Sequence, residues 1–526
     1  MHYIESSDMD IDANGNYAFK DGPPGTKINA AFMQTLMKEI TNVIENAGLT
    51  VLTKDTDTRT QLWEALQVLG KPHDLVIASQ VVFNSMIERI GANHYQIKTQ
   101  YKSIFVKQII GGYNCTTWLS GGDSWGYLDT NECNHIEFEA GTYIACTNTA
   151  FYLNVNTDNA YLKNIWIKGD NTVGAVTKSF QLNAPHVRFY NCKSTNRFSS
   201  TSINGFQGSA TAAHNDTSSY DACSIVNQSN NAGNSNGFYL CKNIMNSYVD
   251  TLTGTIASTL LSGYNNCANL INCNVWNLLN VTISYGMYEC ERINNANIEY
   301  ISGSVGYGLY KTHRCTNVNI SSITGSTTIG VGAYQSNYLT NIKVNGITST
   351  TLTGYGLYQC DYIVACTVET MLTIGGIGNC GFYDCDDVSS CYASFTTDGL
   401  AYGFQNCNGL TSCRTLNIIS TTDDAYGIYA CHQISGCRVE STAHTGGVAG
   451  KSAFAIASCT YVSSCYTLDT TTNGGGGVAV GFYTCSYIAA SYPNDNDNTF
   501  NNYVDTDDAS ITNKYSTPVS ADNKWD

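Results

Sequence analysis

Apolar and polar residues recur in one fixed phrase through most of the chain. The phrase G-φ-Y-x-C-x-x-φ-x-x-C-x-φ, in which φ is apolar, reads GFYLCKNIMNSYV from Gly237 and GLYQCDYIVACTV from Gly356. A fixed period with insertions of variable length is typical of a solenoid, in which each unit stacks on its neighbours. The first position of the phrase recurs every 22 to 28 residues, about 24 on average, at Gly237, Gly263, Gly286, Gly308, Gly332, Gly356, Gly381, Gly403, Gly427, Ala455 and Gly481.

The residues of the unit favour strands over helices. A unit of this length also fits a leucine-rich repeat, but that pattern needs several Leu and an Asn at set offsets. These units instead carry Tyr, Cys, Ile and Val with Gly-rich and Thr-rich joints, and none contains ten residues of helical periodicity. We therefore predict an all-β fold, a right-handed single-stranded parallel β-helix with three short strands in each rung of about 24 residues.

Weaker copies of the phrase extend the array toward the N-terminus. Three pairs match its last two fixed positions: Cys223 with Ile225, Tyr190 with Cys192, and Ile165 with Ile167. We predict that the parallel β-helix covers residues 141–495 and begins soon after Gly141. About fourteen rungs at one strand spacing each would make a rod of roughly 65 Å.

Most of the 22 cysteines fall at two offsets of the phrase. Residues at the same offset of adjacent rungs lie one above another, so we interpret these sets as ladders of small, buried, reduced side chains. A metal site would need clustered pairs such as C-x-x-C, whereas the spacing here is C-x5-C, and we expect neither a metal nor a cofactor. The first ladder is Cys241, Cys267, Cys290, Cys360, Cys385, Cys407, Cys431, Cys459 and Cys485, and the second is Cys223, Cys273, Cys366, Cys391, Cys413, Cys437 and Cys465.

Tyrosines form a third ladder. Two interpretations stay open: an aromatic stack inside the coil, which we favour, or an exposed face on which sugars stack. The ladder consists of Tyr239, Tyr288, Tyr310, Tyr334, Tyr358, Tyr383, Tyr429 and Tyr483.

The two ends of the chain have other patterns. Residues 1–98 predict a helical attachment region, with an amphipathic helix from Ile28 to Gly48 and shorter helices around 60–69 and 79–90. Residues 99–140 are predicted to connect this region to the coil and to cap its apolar interior, and residues 496–526 form a polar tail or strap.

Composition excludes several function classes. Charged residues are only 13% of the chain and the net charge is -16, which argues against a nucleic-acid partner because such binding needs clustered Lys and Arg. The first residues lack a basic and an apolar signal region, and no run of 18 apolar residues predicts a membrane span. We therefore expect synthesis in a reducing cytosol.

Two segments resemble known proteins. GTKINAAFMQTLMKEITNVIENAGLTVL, followed by DTRTQLWEAL, resembles the head segment of bacteriophage tail-fibre and tailspike-like proteins, and IEFEAGTYI resembles the first turn of pectate-lyase-like β-helices. The resemblance implies a homotrimer in the phage virion, assembled in the host cytoplasm and attached to tail or baseplate proteins through residues 1–98. The chain departs from that family in its many cysteines and in having no evident C-terminal receptor-binding domain.

Candidate catalytic residues are few. Hydrolysis of a glycosidic bond needs two carboxyl groups, about 5 Å apart for retention or roughly 6.5 to 9.5 Å for inversion. Asp361 and Asp386 share one offset in consecutive rungs, and Asp384 lies close by, so these three are weak catalytic candidates. The pairs Glu289 with Glu291, and Glu137 with Glu139, are weaker, and His313 and His432 share an offset but lie five rungs apart.

Three functions remain as hypotheses. The first is a structural phage tail fibre or spike that attaches to a host surface polysaccharide or receptor without cleaving it. The second is a polysaccharide depolymerase, a glycosidase or lyase, built on the same rod. The third is a surface adhesin unrelated to phages.

Overall fold

The computed structural model describes residues 9–11, 17–19, 75–115, 125–146, 150–169, 178–199, 202–280, 282–373, 378–473, 477–494 and 503–504. The chain divides into two compact units, Met1–Leu75 and Val76–Asp526. In the first unit, Met9–Ile11 pairs antiparallel with Tyr17–Phe19. The helices predicted over 28–48 and 60–69 lie outside the described residues, as does most of the polar tail.

Strands dominate the described residues. The strands before residue 240 are β1 Met9–Ile11, β2 Tyr17–Phe19, β3 Leu75–Ile77, β4 Ile87–Gly91, β5 His94–Ile97, β6 Ser103–Val106, β7 Tyr113–Asn114, β8 Trp125–Asp129, β9 His135–Phe138, β10 Ile144–Cys146, β11 Ala150–Val155, β12 Tyr161–Lys163, β13 Trp166–Gly169, β14 Lys178–Leu182, β15 Arg188–Tyr190, β16 Lys193–Ser199, β17 Ile203–Gln207, β18 Ser219–Asp221 and β19 Ser224–Tyr239. The middle strands are β20 Lys242–Met245, β21 Tyr248–Asn265, β22 Ala268–Ile271, β23 Asn274–Leu279, β24 Ile283–Tyr288, β25 Glu291–Tyr310, β26 His313–Tyr334, β27 Asn337–Val344, β28 Ile347–Ser349, β29 Gly354–Tyr358, β30 Asp361–Val364, β31 Thr367–Glu369, β32 Met371–Thr373 and β33 Gly378–Tyr383. The remaining strands are β34 Asp386–Ser389, β35 Tyr392–Thr397, β36 Leu400–Gln405, β37 Asn408–Thr411, β38 Arg414–Ser420, β39 Ala425–Tyr429, β40 His432–Ser435, β41 Arg438–His444, β42 Ala453–Ala457, β43 Thr460–Ser463, β44 Tyr466–Leu468, β45 Thr471–Thr472, β46 Ala479–Tyr483, β47 Ser486–Ala489, β48 Tyr492–Asn494 and β49 Tyr503–Val504.

The strands of the second unit confirm the predicted parallel β-helix. It is a β-solenoid of about 14 turns with a spacing of about 24 residues between rungs. In one rung, β29, β30 and β31 follow one another and pair in parallel with β33, β34 and β35 of the next rung. We call the stacks that contain these three strands sheet 1, sheet 2 and sheet 3.

Left-handed backbone marks the corners between the sheets. Gln359 and Ala365, which lie between strands, and Tyr362, which lies within β30, all have φ of 54°. From Leu240 to Ala490 such residues recur three to a rung, at intervals of three. Asn tolerates the left-handed region better than most residues, and it holds many of these positions in other rungs. Their side chains also bond from rung to rung: Asn341 Nδ2 donates to Asn317 Oδ1 at 2.7 Å. The abundance of Asn in the sequence therefore has a structural cause.

The cysteine ladders lie in the interior, as predicted. All 22 cysteines are buried and reduced. Each thiol of the two ladders follows a residue with left-handed backbone and bonds to backbone carbonyls: Cys360 Sγ donates to Tyr358 O at 3.4 Å and to Ala333 O at 3.6 Å. Burial raises the pKa of thiols such as Cys267 and Cys290, so these groups stay protonated and unreactive.

The tyrosine ladder does not lie inside the coil, so the favoured interpretation was wrong. Each of the eight rings is only half-buried, whereas the preceding residue of the phrase, such as Leu357 or Phe382, is fully buried. Successive side chains of a strand point to opposite faces, which places the tyrosines on the outer face of sheet 1. There they stack on each other, with the Tyr288 and Tyr310 ring centroids 5.2 Å apart.

Parallel pairing begins before residue 141. Strand β6 pairs with β9, and β8 pairs with β11, so most of the segment predicted as a connector belongs to the β-helix. A six-residue helix, α1 (Gln80–Ser85), precedes it, and its Phe83 and Met86 line an apolar cavity with Ile104 and Ile136 of the first rungs. This helix therefore packs against the apolar interior of the first rungs.

Helices are short throughout the described part of the chain. The helix predicted over 79–90 is confirmed only for α1, whose N-cap Ser79 accepts a bond from Val82 N; Ile87–Gly91 is instead a strand of the hairpin with β5. The other helix, α2 (Ala212–Thr217), also has six residues. None of the helices in the described ranges has the length and apolarity needed to cross a bilayer.

Candidate functional site

The carboxylates predicted as neighbours do lie on adjacent strands of sheet 2. Asp361 begins β30, Asp386 begins β34, and the two are direct partners in the parallel register. Asp384 lies at the corner that precedes β34, with φ of 53°. The repeat offset therefore identified the right pairs of residues.

The environments of these acids differ. Asp361 is half-buried, whereas Asp384, Asp386 and Asp387 are exposed. Burial, and then the negative charge of Asp386 and of the two other aspartates, raises the pKa of Asp361. Asp384 Oδ2 accepts a hydrogen bond from Gln359 Nε2 at 3.1 Å, which orients that carboxylate along the corner.

This arrangement supplies two of the parts that a retaining glycosidase needs. Partner residues on adjacent parallel strands lie about 4.8 Å apart, near the separation for retention. A raised pKa, such as that of Asp361, also suits a general acid. Asp386 is exposed, however, and exposure leaves water around the charge that a catalytic site would exclude.

Exposed tyrosines flank the acids at an offset that the sequence phrase did not single out. Tyr338 and Tyr362 are 46% and 49% exposed, and their rings stack with centroids 4.7 Å apart and planes 3° apart. The edge of the His313 ring meets Tyr338 at 5.0 Å. Large exposed aromatic rings are informative, because folding alone does not require them on a surface.

The same constellation recurs further along sheet 2. Tyr461 and Tyr487 are 51% and 46% exposed and stack at 4.8 Å, and the edge of His432 meets Tyr461 at 5.0 Å. Between Tyr362 and Tyr461, the same offset on the intervening strands is held by Asp387, Gly409 and Gln433. We call the two tyrosine pairs together with Asp361, Asp384, Asp386 and Asp387 the tyrosine–aspartate strip.

The tyrosines of the strip occupy strained backbone. Tyr338, Tyr362, Tyr461 and Tyr487 have φ between 54° and 56°, where a bulky side chain costs about 1 to 2 kcal/mol relative to ordinary backbone. In other rungs the same offset holds Asn, as at Asn269. Strain that persists where a less costly residue is available favours a functional role.

The other acidic candidates are engaged or isolated. Glu137 forms an ion pair with Lys163 at 3.0 Å, and Glu139 Oε2 accepts a bond from Gln108 N at 2.8 Å. Glu289 lies at a left-handed corner, and Glu291 is exposed and pairs with His313 of the next strand. Neither pair resembles the strip.

The two histidines are five strand steps apart, as predicted. His313 reaches Asn337 and Asp361 on successive strands, and Asp386 and Asn408 lead on to His432. Because His313 and His432 lie about 24 Å apart, they cannot act together as acid and base on one bond. In the described ranges, no three His, Cys, Asp or Glu side chains are grouped so as to hold a metal ion.

Comparison with known proteins adds no further assignment. No family model, no curated protein and no solved structure matches the chain. Function is therefore inferred from the residues of the chain and their geometry.

Proposed function

We propose that this chain is a structural component of a bacteriophage tail, a fibre or spike that attaches to a host surface polysaccharide and does not cleave it. The resemblance of the segments near residues 25–69 to phage tail proteins supports the virion origin. The parallel β-helix supports the role of a rod that holds a binding surface away from its anchor. Assembly in the host cytoplasm is consistent with the reduced, buried thiols.

The observation that carries the binding role is the tyrosine–aspartate strip. A sugar ring offers apolar C–H faces that pack on aromatic rings, and hydroxyl groups that donate to carboxylates. Aromatic rings contribute a large contact area at a low cost in conformational entropy. The rungs of Tyr362 and Tyr461 are four strand steps apart, about 19 Å, which suits an extended chain of sugars better than a single one.

Binding can be tested with the purified protein on a panel of bacterial envelope polysaccharides. Tyr362→Ala and Tyr461→Ala each remove one exposed ring, and we expect each to weaken binding about tenfold, as loss of an interface aromatic commonly does. Tyr300→Ala on sheet 3 is the matched control, because Tyr300 is 36% exposed but lies outside the strip. Equal losses in all three variants would overturn the strip as the binding surface.

The second candidate function, a polysaccharide depolymerase, is favoured by one observation. Asp361 and Asp386 are register partners, and the pKa of Asp361 is raised. If they were catalytic, Asp386→Asn would abolish the release of reducing ends while leaving polysaccharide binding intact. We expect the unmodified protein to release none.

Attachment to the tail is proposed to reside in residues 1–98, and the assembled fibre is proposed to be a homotrimer. A chain that lacks residues 1–98 should fail to enter virions. Equal incorporation of the truncated and intact chains would place the docking region elsewhere. Sedimentation equilibrium of the intact protein at three times the monomer mass would support the trimer, and a monomer mass would refute it.

A further inference from the structure

A cluster of lysines and aromatic rings lies on sheet 3 in the early rungs, apart from the tyrosine–aspartate strip. Tyr143 and Trp166 are neighbours on consecutive rungs, with ring centroids 5.1 Å apart. Lys168 Nζ lies 4.6 Å from the Tyr143 centroid and 5.4 Å from that of Trp166. Lys193, the register partner of Trp166 on the next strand, places its Nζ 5.2 Å from the Trp166 ring.

The rings hold the two ammonium groups in place. Trp166 is itself fixed, because its Nε1 donates to Thr195 Oγ1 at 2.7 Å. A cation over an aromatic face gains about 0.5 to 1 kcal/mol at an exposed site. Ordering a free lysine side chain costs up to roughly 2 kcal/mol, so lysines that are already ordered bind an anion with a smaller loss of entropy.

Neither ammonium group forms an ion pair with a carboxylate among the described residues, whereas several other lysines of the described ranges do. Lys163, Lys242, Lys343 and Lys451 all form ion pairs with Asp or Glu. The surrounding sequence is also basic, since residues 163–197 contain six Lys or Arg and a single Asp in a chain of net charge -16. Two ammonium groups that both lie near the Trp166 ring, in a basic segment, create a local positive potential in an acidic protein.

We propose that Lys168 and Lys193, positioned by Trp166 and Tyr143, form a binding site for an oxyanion, namely the carboxylate, sulfate or phosphate group of an anionic surface polymer. Only the polymer as the source of the anion rests on the proposed function; the oxyanion site stands on the geometry of the cluster. The site lies on a different sheet from the tyrosine–aspartate strip, so the two can be tested separately.

The test is calorimetric titration of the full chain with inorganic sulfate, with a sulfated oligosaccharide and with neutral dextran as an uncharged probe. Lys168→Gln and Lys193→Gln each remove one charge and keep most of the side chain, and we expect each to weaken sulfated-ligand binding roughly fivefold. Lys163→Gln is the matched control, because that lysine is already paired with Glu137 at 3.0 Å. Lys193→Arg should restore binding, and raised salt should weaken it.

Binding of both sulfated probes, lost in the Gln variants and kept in Lys163→Gln and Tyr362→Ala, supports the proposal. No binding of either anion, or an equal loss in Lys163→Gln, would overturn the site. Binding of inorganic sulfate without the oligosaccharide would overturn the polymer as its source. Failure of the Tyr362→Ala test alone would refute the proposed function and leave the oxyanion site standing.

Discussion

Replacement of Gly356 by alanine tests how closely the rungs are packed. Gly356 lies in sheet 1 between Tyr355 and Leu357, which pair with Cys380 and Phe382 of the next rung. A Cβ at this position would lie 2.3 Å from the carbonyl oxygen of Gly381, and 2.5 and 2.6 Å from the two Val368 methyl groups. Ordinary contacts begin near 3.4 Å, so the backbones of two bonded rungs would have to move apart by about 1 Å.

The expected cost follows from that displacement. Overpacking of a well-packed interior costs about 1 to 3 kcal/mol, and we expect the upper end because the nearest atom is backbone and cannot rotate away. Ala455 holds the same offset in a later rung and is fully buried, so the variant should still fold. Adding Val368→Ala removes the methyl contacts, and the double variant should be more stable than the sum of the two single changes predicts.

The assay is urea denaturation followed by circular dichroism, with Gly91→Ala as the control. A Cβ at Gly91 would meet only His94 Cβ, at 3.5 Å, so this change should leave the free energy of unfolding nearly unaltered. A free energy of unfolding for Gly356→Ala that equals that of Gly91→Ala would refute the tight stacking of glycines against the next rung.

Three further predictions concern the cysteine ladders and the acidic cluster. Cys413→Ser should lower the free energy of unfolding by less than about 1 kcal/mol, because Ser247 holds the same offset and its Oγ donates to Met245 O at 2.7 Å. Cys413→Leu should lower it by about 1 to 3 kcal/mol through overpacking, and thermal denaturation distinguishes the two variants. Most cysteines of the native protein should resist a thiol reagent until denaturant is added, and rapid labelling without denaturant would contradict the buried ladders. A raised pKa means that folded Asp361 binds protons more tightly than the unfolded chain does, so its contribution to stability falls as pH rises through that interval. Asp361→Asn should therefore raise the urea midpoint at pH 7 but not at a pH below the usual Asp pKa. The control is Asp158→Asn, which replaces an exposed acid and should leave the midpoint unchanged at pH 7. A lower midpoint for Asp361→Asn at pH 7 would contradict this prediction.

The repeated sequence phrase predicted the β-helix because the stacking of rungs constrains the residues that point inward. Gly356, Cys360 and Cys366 hold offsets at which a larger residue would meet the next rung, so their spacing fixed the register, including that of Asp361 with Asp386. The early rungs were not predicted because their strands lack the glycine and tyrosine of the phrase: β9, His135–Phe138, alternates apolar and polar residues, and β6, Ser103–Val106, is buried throughout. For α1, the apolar run that continues from Val81 to Ile87 has helical spacing, but the hairpin at Gly91 draws Ile87 into a strand.

Residues that point outward from the β-helix were harder to predict, because several residue types fit an exposed position equally well. Tyr358 and Tyr362 lie in the same rung, yet only the first repeats often enough to form a visible ladder. The strip emerged only from the structure, in which Tyr362 has left-handed backbone within β30 and is exposed beside Asp361 and Asp386. Likewise, the Lys168 and Lys193 cluster depends on contacts between rungs whose lengths vary, which the spacing in the sequence does not fix.

Attachment without cleavage is tested most directly by measuring polysaccharide binding and cleavage in the same sample. The purified protein is incubated with envelope polysaccharide from a susceptible host, and both the bound fraction and the newly formed reducing ends are determined for the unmodified protein, Tyr362→Ala and Asp386→Asn. We expect binding by the unmodified protein and by Asp386→Asn, weakened binding by Tyr362→Ala, and no reducing ends in any sample. Reducing ends that appear with the unmodified protein and vanish with Asp386→Asn would contradict attachment without cleavage and establish the depolymerase.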